Sequence, residues 1–166
     1  MKLTGNFKAP ALFLRLSIGI AYLWEVADRF GAFGAHGQPH VGWGDWQHFI
    51  IYAKQVMNFV PGPLVAPLAI IATTGEATFG LLLIIGLFTR MAAISSGILS
   101  FCFAMAMAIS FGIDSPLGYS VFTLSAASFV LATLPCYAYS LDALKQKPLR
   151  LRLDYYGGKH LIDIIR

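Results

Sequence analysis

The chain has 166 residues and a net charge of +4; 57% of its residues are hydrophobic and only 12% charged, with a mean hydropathy of +0.68. Soluble domains carry roughly 25% charged residues, so a water-soluble globule is excluded and one compact membrane unit is expected. The pI of about 9.2 does not point to nucleic acid, because the cations sit at the ends of apolar runs and no basic stripe with interleaved aromatics is present.

The first apolar run is "APALFLRLSIGIAYLWEVA", residues 9–27. Its length suits a membrane span, which needs about 20 apolar residues. Arg15 interrupts the apolar core and "GAFGA" offers only a weak cleavage-like site, so the run is kept as a span in preference to a signal peptide. Arg15 falls about 9 Å into the inner leaflet at 1.5 Å per residue. It either snorkels to the headgroups or forms a buried pair with a carboxylate. Tyr22, Glu25 and Arg29 follow at i, i+3 and i+7, on one face, and Arg29 can pair with Glu25 one turn earlier.

Residues 28–63 separate this run from the next. Within them "DWQHFIIYAKQVMNF" (45–59) predicts a helix with Asp45 as N-cap. Trp46, Phe49, Ile50, Ala53, Val56 and Met57 recur at helical spacing, as expected of an amphipathic helix on the outer membrane surface, or of a loop helix with a core-facing stripe. Either way it lids the outer end. His36, His40 and His48 invite a metal reading, but Gly37 and Pro39 argue against a helix at "HGQPH" and no acid stands beside them, so no metal site is expected.

The second span is expected over 64–88 and contains "TGEATFGLLLIIGLFTR". Glu76 lies about 18 Å along it, close to the expected midplane. A carboxylate at that depth is a functional candidate whose partner must be found. Thr73, Glu76 and Gly80 share a face at i, i+3 and i+7, fitting either an interhelical hydrogen bond or a proton or ligand site. Arg90 reads as an inner-leaflet anchor. A third span is expected over 91–111 and a fourth over 117–139. Small residues at Gly97, Ser100, Ala104 and Ala108, and at Ser120, Thr123 and Ala127, would let these helices approach closely. Cys102 and Cys136 lie in apolar surroundings and form no CxxC, so they read as small hydrophobes.

The tail, 145–166, alternates Leu149, Leu151 and Leu153 with Arg150, Arg152 and Asp154 before the turn signal Gly157–Gly158, and predicts a β-hairpin. With the N-terminus inside, ten Lys and Arg fall on the inner side and only Arg29 and Lys54 on the outer. That asymmetry places both termini in the cytoplasm. The expected fold is thus an all-α integral membrane protein: a four-transmembrane-helix bundle with an outer amphipathic helix between spans one and two and a cytosolic tail.

Three stretches carry a family resemblance over roughly residues 12–144. In "RLSIGIAYLWEVADRF", Arg15, Gly19, Trp24 and Arg29 are similar to the pattern of the DoxX family of small four-span membrane proteins. In "GEATFGLLLIIGLFTR", Glu76, Gly80, Gly86, Thr89 and Arg90 match its most recognisable segment. "YSLDAL" resembles its Ser-Leu-Asp ending at Ser140, Leu141 and Asp142. Glu25 stands in place of a small residue, and Cys136 and Ala138 in place of glycines.

The resemblance implies a bacterial or archaeal cytoplasmic-membrane protein related to the membrane subunit of thiosulfate:quinone oxidoreductase, with quinone as candidate ligand and no covalently bound cofactor. The chain has no CxxC, haem-attachment or flavin motif, so a redox role would depend on a partner. Candidate partners are the lipid bilayer, a soluble redox subunit and a second copy of the chain. Glu76, Glu25, Arg15, Tyr22 and Thr73 are the candidate ligand or proton-site residues. The alternative is a non-catalytic scaffold, assembly factor, small-molecule binder or transporter, in which the same residues form a structural polar network.

Overall fold

The computed structural model describes residues 7–135 and 137–145; the hairpin expected in the tail lies outside the described residues. Among the described residues six helices follow in order: α1 (Lys8–Arg29), α2 (Trp46–Val56), α3 (Gly62–Ile85), α4 (Thr89–Phe111), α5 (Asp114–Gly118) and α6 (Val121–Thr133), and residues 141–145 are again helical. No strand occurs among the described residues. α1, α3 and α4 are long and apolar enough to cross a membrane.

α1 packs on α3, α3 on α4 and α4 on α6, and α6 returns to touch α1. Partners on α3 fall in number as those on α1 rise: Arg15 lies against Gly86, Gly19 against Gly80, and Arg29 against Thr73 and Glu76. The two helices therefore run antiparallel. A Cβ on Gly19 would sit 3.0 Å from the Gly80 carbonyl oxygen, so the backbones meet with no side chain between them. That closeness is how helices associate where lipid removes the hydrophobic drive. One step around the bundle, the Tyr22 hydroxyl joins α1 to α4. It donates to the Ser96 carbonyl at 2.7 Å and accepts from the Ser100 hydroxyl at 2.5 Å.

The expected fourth span is shorter and broken. A span of 117–139 gives way to α5, a break at Tyr119–Ser120, and α6 of 13 residues. At 1.5 Å per residue α6 measures about 20 Å, against a hydrocarbon core of about 30 Å. Ser120 is left-handed at φ 57°, which ends helical continuity from α5. At the other end Pro135 pushes Leu134 into extended backbone (ψ 139°), so the helix stops at Thr133.

Past α6, residues 137–145 form a strap across the end of the bundle where α1 starts, the end expected to be inner. Arg15, 2% exposed, donates from Nη2 to the Tyr139 carbonyl at 2.7 Å. It does not reach the surface, and among the described residues it forms no ion pair with a carboxylate, so neither the snorkelled nor the paired reading describes it. The Asp142 backbone N–H donates to the Gly86 carbonyl at 3.0 Å. The Asp142 carboxylate accepts from the Phe88 N–H at 3.0 Å and the Thr89 N–H at 2.8 Å, capping the start of α4. Partial burial opposes the charge on Asp142, but these N–H donors and Lys145 outweigh it and hold its pKa below the usual value. Gly86 ends α3 left-handed at φ 69°, and a Cβ there would lie 2.2 Å from Arg15 Nη1. The expected span over 64–88 thus ends at Ile85, because three residues turn the chain into α4.

Asp45 caps α2 as expected, accepting from the His48 N–H at 2.9 Å. Phe49, Ala53 and Val56 of its apolar stripe are buried. Phe49 and Ala53 pack with Val65 and Ala69 on the outer turns of α3. The stripe therefore faces protein, and α2 covers the end of the bundle where α1 stops, the end expected to be outer.

Candidate functional site

The polar cluster beneath α2 is built by the last turn of α1 and the middle of α3. Thr73 and Glu76, three residues apart, present their side chains to α1. Arg29 folds down from the end of α1 and binds both. Its Nη1 donates to Thr73 Oγ1 at 2.8 Å and to Glu76 Oε2; its Nη2 donates to Glu76 Oε1 at 3.2 Å. The side chains of Arg29 and Glu76 are only 5% and 4% exposed. The fork geometry satisfies both carboxylate oxygens, which a buried carboxylate requires. The Phe49 ring of α2 lies 4.0 Å from the guanidinium carbon and roofs the pair.

Asp28 fixes that roof. Its Oδ2 accepts from the Gly42 N–H at 3.0 Å and the Trp43 N–H at 2.7 Å, pinning the loop that leads into α2. The Trp43 indole N–H donates to Glu25 at 3.2 Å. Glu25 is thus engaged by the loop, and Arg29 pairs with Glu76 and not with Glu25 as the local spacing suggested. Gly80, one turn inward of Glu76, is level with Gly19 in the middle of α1. Glu76 therefore lies toward the outer half of α1.

Beside the cluster opens a crevice of about 320 Å3, lined by Phe30, Trp46, Ile70, Thr73 and Thr74. The Phe30 and Trp46 rings are nearly parallel, 12° apart, with centroids at 5.9 Å. Phe30 and Ile70 are 68% and 54% exposed, so the crevice opens sideways through the apolar surface of the bundle. A larger cleft of about 520 Å3 lies at the inner end, lined in part by Thr89, Arg90, Tyr137, Asp142 and Lys145. The Asp142 carboxylate there is already engaged as the α4 cap. The outer crevice is the better candidate, because a buried ion pair stands against its wall.

Of the five residues singled out from the sequence, Glu76 and Thr73 meet in one cluster. Glu25 sits above it on the loop side. Tyr22 has its only proton directed to Ser96, and Arg15 lies at the opposite end of α1. Asp28 and Phe49 were not anticipated. A signal for Arg29 existed: it is one of only two cations on the expected outer side, and Glu76 needs a cation. Among the described residues no group of three His, Cys, Asp or Glu side chains is placed to hold a metal ion. The rings of His36 and His48 stack at 3.8 Å, and His48 Nδ1 pairs with Asp45 at 2.8 Å.

No curated protein and no solved structure matches the chain. A family model described as the TQO small subunit DoxD matches residues 46–154. The match takes in Thr73, Glu76 and the Asp142 strap, and begins after Arg29. Covering roughly two thirds of the sequence, it shows that the chain belongs to the DoxD family, that of the small subunit of thiosulfate:quinone oxidoreductase.

Proposed function

We propose that the chain is a quinone-interacting membrane subunit of an oxidoreductase and relies on a partner for its redox centre. The observation that carries this is the buried Arg29–Glu76 pair beside a crevice that opens through the apolar surface. The residues suit a quinone head group. Aromatic and aliphatic walls accept a planar ring, and the Thr73 hydroxyl, backed by the Arg29 guanidinium, lines the same crevice. A quinone, when bound, supplies a lipid-soluble carrier of two electrons and two protons.

The chain's own residues would orient the ring and handle the proton. Arg29 holds the Glu76 carboxylate in a fixed position. Oε1, held at 3.2 Å, is the less firmly bound oxygen and the better proton acceptor. Phe49 and α2 exclude outer water from the pair. Electrons would come from the partner, since the sequence has no motif for a redox centre.

In the bilayer, the fourth crossing would consist of α6 continued by the strap residues at 134–135 and 137–140. Irregular backbone at membrane depth is tolerated where protein buries and satisfies it; Arg15 satisfies the Tyr139 carbonyl, and the Tyr137 hydroxyl donates back to the Leu131 carbonyl of α6. With four crossings, the asymmetry of Lys and Arg favours both termini in the cytoplasm, and the family resemblance favours a bacterial or archaeal membrane.

The test is mass-spectrometric detection of quinone in gently extracted wild type and in folded Glu76→Gln. Quinone carried by the wild type and lost from the mutant supports the proposal. Quinone absent from both favours the scaffold alternative, in which the pair serves packing alone.

A further inference from the structure

Thr73 has hydrogen-bonding capacity that nothing in its surroundings uses. Its oxygen accepts from Arg29 Nη1 at 2.8 Å, but its hydrogen has no acceptor among the described residues. The neighbouring Thr74 differs, donating to the Ile70 carbonyl at 2.8 Å. Thr73 is 5% exposed and lines the outer crevice. A buried hydroxyl with a free hydrogen calls for an acceptor. Arg29 Nε is buried and likewise has no acceptor. The cluster therefore has donors to spare.

We infer that Thr73 donates a hydrogen bond to a carbonyl oxygen of a planar, membrane-borne head group held against Phe30, Trp46 and Ile70. This rests on the proposed function and specifies where and how the quinone is held. Arg29 draws electron density from the Thr73 oxygen and strengthens it as a donor, so hydrogen bonds in a chain reinforce one another. The crevice volume, about 320 Å3, falls at the low end of ligand pockets and suits one substituted ring. The exposed Phe30 and Ile70 at its rim put the way in within the lipid phase, near the outer interface. Because Thr73 offers a hydrogen, it favours the oxidised quinone, with its acceptor carbonyl, over the quinol.

The experiment uses the full chain in lipid nanodiscs, titrated with decylubiquinone and decylubiquinol while tryptophan fluorescence is followed. Wild type is expected to quench saturably, and Trp46→Phe to lose most of the quenching. Thr73→Val should weaken quinone binding about five- to tenfold, the loss of one hydrogen bond, and weaken quinol binding less. Thr73→Ser should restore both. If Thr73→Val fails to fold, Ile70→Trp at the half-exposed rim fills the crevice and should abolish quinone retention read by mass spectrometry, a readout the added tryptophan does not disturb. Thr73→Val binding like wild type, while folded Glu76→Gln loses quinone, overturns the inference and leaves the proposed function standing. Undiminished quinone retention in Ile70→Trp also overturns it. No saturable quinone binding in wild type overturns the proposed function itself.

Discussion

Replacing Glu76 by leucine while Arg29 remains would strand a guanidinium that is 5% exposed, with only Thr73 and the Phe49 ring for company. Arginine cannot shed its charge. Removing one partner of a buried pair typically costs about 3–5 kcal/mol. At roughly 2–4 °C per kcal/mol for a chain of this size, the midpoint should fall by about 10 °C. Arg29→Met should cost less, because a lone carboxyl can bind a proton, even though the contacts with Thr73 and Phe49 are also lost. The double replacement should recover most of the loss, since replacing both members of a buried pair with apolar groups is often near neutral. The assay is thermal unfolding of all four proteins in one detergent. Single mutants that fall by less than about 1 kcal/mol, or a double mutant that falls by their sum, would refute the coupling read from this geometry.

The inner strap gives two further predictions. Gly86→Ala places a Cβ 2.2 Å from Arg15 Nη1 and 2.3 Å from the Ser140 Cβ, in a left-handed turn; it should destabilise by about 1–3 kcal/mol in thermal unfolding, as overpacking does. Asp142→Ala removes the α4 cap and should cost about 1 kcal/mol. Because the Asp142 pKa is lowered in the folded protein, its contribution is fully present above the ordinary carboxylate range and is lost as pH falls through the lowered value. Acid-unfolding curves of wild type and Asp142→Asn should therefore converge at low pH. For topology, His40→Cys in a background carrying Cys102→Ser and Cys136→Ser should react with a membrane-impermeant maleimide from outside intact cells. Labelling only after lysis would reverse the orientation.

Much of the architecture was legible because it is local. Apolar runs of span length gave α1, α3 and α4, and a 3.6-residue stripe behind Asp45 gave α2. The fourth run misled because hydropathy averages over its breaks: Pro135 acts on the residue before it, and the left-handed Ser120 has no compositional signature. Thr73 and Glu76 were legible as a polar pair on one face of α3, because three-residue spacing fixes that geometry within a helix. Arg29's partner was not. The nearest acid in sequence, Glu25, is one turn away, whereas the acid it binds is 47 residues away and comes within reach only because Gly19 and Gly80 let α1 and α3 touch.

The sequence by itself determined the membrane, the helices and the expensive charges, since these follow from composition and from spacing within one helix. Tertiary structure alone decided which charges meet, that Arg15 ties down a strap, and that Thr73 is left with a free hydrogen beside an open crevice. Those outcomes depend on helix–helix distances, which no single segment encodes.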